Sequence, residues 1–354
     1  MRKILPTILF TLALTVMLRA LFLGGYLDFN AYYNGAMIGE ISNYPPFVAI
    51  LFYPFTFTSI AIASKIWVVL SVFFLFLSLY LCFKLFNIQF LSSTALILLS
   101  LAFTYFPVKF TLGLGQLNLL VLLFVVLTFY FYIKDRDCYS GICLGISIML
   151  KLFPVLLLIY FLLKKRYKIL LYTAIAFITI AGIGCLLIGP EKNTNYWLHL
   201  SSILGSTPVD YYNQSLSGFL ARQVNNISLR GSLRIMISTF FILVSFLIIF
   251  KKRKKYFLSK TLEFGLLITL NVFINGYSWQ HHFVWLILPF LIVFFYIKNK
   301  KLNVNNYLFL GISYLLTGTN LKNPTMYPPI IQSHIFFGAI LLWLMTAYLL
   351  LKND

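Results

Sequence analysis

The chain has 354 residues, 61% of them hydrophobic and only 10% charged, and it carries a formal net charge of +20. A mean hydropathy of +0.91 excludes an ordinary soluble domain and leaves a lipid bilayer as the solvent. No polar stretch is long enough to build a separate core, so a single multi-pass membrane domain over residues 1–354 is expected.

Taken in chain order, apolar runs cover residues 4–23, 66–83, 91–106, 117–133, 169–188, 233–250, 262–274, 283–297, 307–316 and 333–351. A hydrocarbon core of roughly 30 Å takes about 20 helical residues, so the longer runs span it and the shorter ones need their flanks to finish. The stretch 141–163 differs, because Lys151 and Pro154 interrupt it and basic residues flank it on both sides. Two short helices joined at residues 151–154 would return both basic flanks to one side of the membrane. The expected fold is all-α and polytopic, with about twelve crossings.

With Arg2 and Lys3 inside, the runs ending at Lys84, Lys134, Lys164, residues 251–255, residues 298–301 and Lys352 all return to the cytoplasm. Both termini are therefore expected there, in the cell membrane, with the first run as an uncleaved signal-anchor. On this reading the net charge is a topology signal, and nucleic acid is not an expected partner. Cys82, Cys138, Cys143 and Cys185 fall in or near membrane segments or on the cytoplasmic side, where disulfides are disfavoured, and their spacing suits no zinc site.

This topology leaves exterior loops at 24–65, 107–116, 189–231, 275–282 and 318–330, with 47–63, broken by Pro54, as an interfacial helix. The chain has only eight acidic residues, and Asp28, Glu40, Glu191 and Asp210 are the four expected on the exterior side. Asp28 follows the first crossing directly and sits among aromatics, where partial desolvation raises a carboxyl toward general-base range. It also suits the N-cap of a helix starting at Phe29, and the two roles can coexist. Residues 44–47, Tyr-Pro-Pro-Phe, read as a rigid corner. Gln116 and Asn118, beside Gly113 and Gly115, offer neutral hydrogen bonds or a helix cap.

Lys151, between two membrane helices, either meets an anion such as a phosphate or snorkels to the interface. Arg222, in the polar stretch that also holds Asn213 and Gln214, has the fork geometry to clamp a phosphate. The sequons at Asn213 and Asn226 are the kind that recur by chance. His281 and His282 stand at an outer boundary; adjacent side chains on a helix diverge by about 100°, which suits one of them hydrogen-bonding a polar ligand better than both binding one metal.

In order, Asp28 with residues 32–36, the Tyr44 corner, residues 115–118, residues 151–154, residues 213–216 with Arg222, and residues 278–282 resemble glycosyltransferase family 87. That family contains polyprenyl-phosphate-mannose-dependent α-(1→2)-mannosyltransferases. The resemblance runs from the first crossing to about residue 289. It implies a GT-C fold whose site opens at the outer face, and a catalytic acid in the first exterior loop, which Asp28 matches by position. It also implies a polyprenyl-phosphate sugar donor, a lipid or glycan acceptor, and no metal or other cofactor. Lys151, Arg222, His281, His282, Gln116, Asn118, Asn213 and Gln214 become the expected donor phosphate and sugar contacts.

The expected reaction is an inverting transfer of a sugar, by family habit mannose, with Asp28 as general base. A transporter or flippase of lipid-linked sugars would also use embedded cations, but no internal repeat supports it. A scaffold would have no need of the exterior ionisable cluster.

Overall fold

The computed structural model describes residues 4–205, 208–251 and 257–352. Arg2, Lys3 and residues 252–255, on which the expected topology partly rests, lie outside them. Every regular element among the described residues is helical. In order these are α1 (Ile4–Leu18), α2 (Ala20–Leu23), α3 (Leu27–Ile38), α4 (Phe47–Phe52), α5 (Ile60–Leu85), α6 (Ser93–Thr104), α7 (Phe106–Leu114), α8 (Asn118–Ile133), α9 (Asp137–Leu150), α10 (Leu156–Leu163) and α11 (Tyr167–Ile188). They continue with α12 (Pro190–Gly205), α13 (Leu216–Gln223), α14 (Ile227–Phe250), α15 (Phe257–Ile274), α16 (Ile287–Asn299), α17 (Val304–Gly318), α18 (Pro329–Gln332) and α19 (His334–Leu351).

Six of these helical segments are long and apolar enough to cross a bilayer, and a seventh crossing results if α6 and α7 count as one bent span. The chain is a multi-pass membrane protein. The other apolar helices are shorter, so length and composition give fewer spans than the twelve expected.

Several boundaries move for identifiable reasons. Pro54 does not break an interfacial helix over 47–63; it enters the first turn of a 3₁₀ segment, Tyr53–Phe57, where a missing N–H costs nothing. That segment ends at the extended Thr58, and residues 60–63 open α5 instead. Residues 107–116, expected as a loop, are largely α7. A 55° bend separates α6 from α7, where the ring of Pro107 would meet the carbonyl four residues back. The stretches 24–65 and 189–231 contain α3, α12, α13 and the first turn of α14 rather than continuous loop.

The chain divides into two compact units, residues 1–104 with 108–203, and residues 105–107 with 204–354. In the first, α9 packs on α11 through Gly141 and Gly145. A Cβ at Gly141 would sit 2.4 Å from the Ile169 carbonyl, and one at Gly145 2.7 Å from the Ala176 Cβ. This Gly-x-x-x-Gly face lets the backbones approach closely, and Thr173 Oγ1 donates to the Gly141 carbonyl across it at 3.1 Å. The Ser140 hydroxyl donates to the Thr128 carbonyl and ties α9 to α8. Phe52 holds α3, α4 and α5 together, its ring centroid 4.7 Å from that of Tyr32 and 4.6 Å from that of Trp67.

In the second unit, Ser313 on α17 donates to the Gly338 carbonyl of α19 at 2.7 Å, and Trp343 Nε1 donates to Ser245 Oγ of α14 at 3.0 Å. The helical stretch Gln280–Asn299 is almost wholly buried, whereas α14 presents most of its surface outward, as a lipid-facing helix does.

Candidate active site

In the first unit the turn between α7 and α8 sets the geometry. Gly115 has φ +68°, and a Cβ there would fall 2.6 Å from the Phe29 Cβ, so both conformation and space call for glycine. Its carbonyl accepts from Trp67 Nε1 at 2.8 Å, and the Tyr26 amide donates to the Gly113 carbonyl at 2.9 Å. The first bond docks α5 on the turn and the second docks the start of α3. Asp28 therefore lies in the first turn of α3 rather than at its N-cap, which is Tyr26 in a left-handed conformation.

Gln116 donates from Nε2 to Asp28 Oδ2 at 2.8 Å. Its Oε1 accepts from the Tyr32 hydroxyl at 2.8 Å and from the Tyr44 hydroxyl at 3.3 Å, and the two phenol oxygens are 2.9 Å apart. The amide is oriented by this set of partners, because the flipped form would turn a carbonyl toward a carboxylate. Asp28 Oδ1 accepts no hydrogen bond among the described residues.

Lys151 occupies the break between α9 and α10 with an extended backbone, φ −162° and ψ 125°. Its ammonium donates to Asn118 Oδ1 at 3.0 Å, approaches the Tyr44 hydroxyl at 3.5 Å and lies 5.5 Å from the centre of that ring. Asn118 opens α8 but does not serve as its side-chain cap; the capping position is Leu117. Burial pushes the Asp28 carboxyl above its usual range, while the Gln116 hydrogen bond and the Lys151 charge pull it partly back. Burial likewise pushes Lys151 down to about 7, against the opposing pull of Asp28. Two groups that titrate far apart in water are thereby drawn toward neutrality.

Asp28, Gln116, Asn118 and Lys151 thus converge, together with two residues that the sequence reading did not place in a site, Tyr32 and Tyr44. A signal for Tyr44 was present: the backbone of a residue directly before Pro45-Pro46 is confined to an extended conformation.

In the second unit, residues 211–217 and 276–280 form a short antiparallel clasp. Asn213 bridges Trp279, the Gln214 amide donates to the Ser278 carbonyl at 2.8 Å, and the Gln280 amide donates to the Tyr212 carbonyl at 2.9 Å. Asn213 is fully buried and spends its side chain on local bonds, accepting from Ser215 Oγ at 2.8 Å and donating to the Pro208 carbonyl at 3.0 Å. Gln214 donates to the Tyr211 and Gln332 carbonyls, both at 2.7 Å, which leaves its buried Oε1 without a partner among the described residues.

The Arg222 guanidinium donates to the Asn213 carbonyl at 2.8 Å, to the Asp210 carbonyl at 3.1 Å, and through Nε and Nη2 to Ser333 Oγ at 3.2 and 2.9 Å. Burial lowers it to about 10, so it remains a cation at neutral pH. His281 and His282 lie on a 3₁₀ turn, Gln280–Leu286, with their rings at 89° to one another. His282 Nδ1 accepts from the Trp279 amide at 3.2 Å, and its ring stacks on Trp285 within 4° of parallel.

No group of three or more His, Cys, Asp or Glu side chains suited to a metal ion converges among the described residues. The Asp28 and Lys151 cluster can hold an anion beside a carboxylate that is able to take up a proton.

Comparison with known proteins finds relatives of the chain. A polyprenol-phosphate-mannose-dependent alpha-(1-2)-phosphatidylinositol pentamannoside mannosyltransferase of Mycobacterium tuberculosis (strain CDC 1551 / Oshkosh) is 24% identical over 256 residues, covering 69% of this chain and 56% of the relative. A polyprenol-phosphate-mannose-dependent alpha-(1-2)-phosphatidylinositol mannoside mannosyltransferase of M. tuberculosis (strain ATCC 25618 / H37Rv) is 25% identical over 279 residues, or 71% of this chain and 61% of the relative. One of the same description from Mycolicibacterium smegmatis is 28% identical over 205 residues, or 53% of this chain and 43% of the relative. The chain therefore spans about half the length of the curated relatives it matches. The model of glycosyltransferase family 87 matches residues 43–273, a stretch that begins after Asp28, ends before the histidine pair and contains Gln116, Asn118, Lys151, Asn213, Gln214 and Arg222. With about two thirds of its length under that match, the chain belongs to glycosyltransferase family 87.

Proposed function

We propose that the protein is an inverting glycosyltransferase of GT-C fold that moves a sugar, mannose by analogy with its relatives, from a polyprenyl phosphate to a lipid or glycan acceptor at the outer membrane face. The observation that carries this reading is the Asp28 carboxylate. It is partly desolvated, fixed through Oδ2 by Gln116, and leaves Oδ1 to accept a proton.

In the proposed step Asp28 takes the proton of an acceptor hydroxyl as that oxygen attacks the anomeric carbon. The bond from that carbon to the phosphate oxygen breaks with inversion, and the electron pair leaves on the polyprenyl phosphate. Lys151, held by Asn118, supplies the positive charge that stabilises the departing phosphate. Within the second unit, His281 and His282 are proposed as ligand contacts. Arg222, Asn213 and Gln214 brace the clasp, since their donors are mostly engaged with backbone. The remaining crossings toward twelve would come from the shorter apolar helices completed by their flanks, with both termini cytoplasmic.

The test is transfer of labelled mannose from a synthetic polyprenyl-phosphate-mannose to phosphatidylinositol mannosides and other glycolipid acceptors, in liposomes holding wild type or Asp28→Asn. Transfer by wild type alone supports both the reaction and the base. Equal transfer by the variant removes Asp28 from that role. Donor translocation without a new glycosidic bond replaces the proposal with lipid-linked sugar transport.

A further inference from the structure

Away from the Asp28 cluster, a cavity of about 390 Å³ opens where α8 ends and α9 begins. Its walls are Tyr130, Phe131, Lys134, Arg136 and Tyr139. The rings of Phe131 and Tyr139 lie 5.2 Å apart at 33°, and that of Tyr130 stands nearly perpendicular to Phe131 at 5.7 Å. The turn between the helices is tight, with Asp135 at φ 54° and the Arg136 amide donating to the Phe131 carbonyl.

The charges at this turn are sorted. Arg166 reaches Asp135 at 2.6 Å and Asp137 at 3.0 Å, so the nearby carboxylates already have a cation. Lys134 and Arg136 are exposed and make no side-chain hydrogen bond or ion pair among the described residues. Two uncommitted cations thus face a recess whose remaining walls are aromatic, at the polar end of two apolar helices. Aromatic rings with polar tips, beside long cationic side chains, match the boundary between headgroups and acyl chains.

We infer that this recess binds the phosphate of an anionic membrane phospholipid. Lys134 and Arg136 pair with the headgroup phosphate, the Tyr130 and Tyr139 hydroxyls lie within the headgroup layer, and the rings cover the glycerol and the first methylenes. A lipid fits better than free phosphate, because the aromatic walls would meet only water around an inorganic ion. The site is independent of the sugar-transfer reading and serves to seat the α8–α9 end in an anionic leaflet.

The test uses the full chain in detergent, analysed by native mass spectrometry while it is titrated with phosphatidylglycerol, phosphatidylcholine or inorganic phosphate. Each cation near an anionic surface contributes about 1 kcal/mol, so the double variant Lys134→Gln/Arg136→Gln should weaken phosphatidylglycerol binding roughly tenfold to thirtyfold and leave phosphatidylcholine unchanged. Lys300→Gln/Lys301→Gln, which also removes two exposed charges from a helix end, should leave both unchanged. Equal binding of the two lipids by wild type would overturn the inference. So would equal weakening by both double variants, which would mark a diffuse charge effect, or displacement of the lipid by millimolar inorganic phosphate, which would mark a soluble-anion site.

Discussion

The two polar clusters of this protein use the same residue types in opposite ways. Around Asp28, side chains bond mainly to other side chains: carboxylate to amide, amide to two phenols, ammonium to amide. Around Arg222, side chains bond mainly to backbone carbonyls in and beside the clasp. The first arrangement keeps ionisable groups close together and partly desolvated, which makes them responsive to a ligand's charge. The second spends its donors on holding backbone that no regular helix satisfies. An amide or a cation near a membrane boundary has equal claim to either role on sequence grounds; its partners decide between them.

The comparison breaks most directly at Asp28. Replacing it with asparagine keeps the shape and the Gln116 contact but removes the proton acceptor, so kcat should fall by roughly 10² to 10⁴ with donor binding retained. A fall in donor affinity with unchanged kcat would make Asp28 a ligand contact. Next in size is Lys151. Substitution by methionine should cost kcat/KM roughly tenfold to a hundredfold through the lost charge at the leaving phosphate. The sign of the pH dependence follows from the two groups: Asp28 must be ionised and Lys151 protonated. The kcat/KM of wild type should therefore rise through the elevated Asp28 value and fall as pH rises through about 7. Lys151→Arg should remove the alkaline limb, since guanidinium does not titrate there. A profile unchanged by that substitution would separate Lys151 from catalysis.

Gln116 sharpens the same comparison with a smaller effect. Its hydrogen bond favours the ionised carboxylate, so Gln116→Leu should raise the Asp28 value and move the acidic limb to higher pH, with about a tenfold loss of kcat at neutral pH. A loss of kcat with an unmoved acidic limb would mean that Gln116 supports only the packing of Tyr32 and Tyr44.

Much of this was legible beforehand, and for physical reasons. Hydropathy marked the apolar helices because bilayer solvation leaves little choice, and the Lys151 break followed from one charge and one proline in an apolar run. Helix boundaries were less legible. Pro54 and Pro107 look like stops in a sequence, yet each sits in the first turn of a helical segment, where proline is tolerated. The Gly141 to Gly145 spacing that seats α9 on α11 was readable as a packing face but passed unused. Tyr32 was missed because one tyrosine among 23 announces nothing until a fold brings its hydroxyl to a buried amide, and the proline corner that marks Tyr44 gives its backbone but not its partner.

Arg222 gives the smallest expected change in turnover and the strictest test of the division drawn above. Four of its hydrogen bonds go to Asp210, Asn213 and Ser333, and lysine, with three donors on a flexible stem, cannot reproduce them. Arg222→Lys should therefore destabilise the protein by about 1 to 3 kcal/mol while kcat and KM per folded molecule stay within about twofold of wild type. Thermal unfolding in detergent, read beside activity normalised to folded protein, separates the outcomes. Unchanged stability with a donor KM raised tenfold would mean that the guanidinium leaves its carbonyls to clamp a phosphate. The clasp would then be a binding element held in reserve rather than a brace, and bonding to backbone would no longer distinguish framework from machinery in this fold.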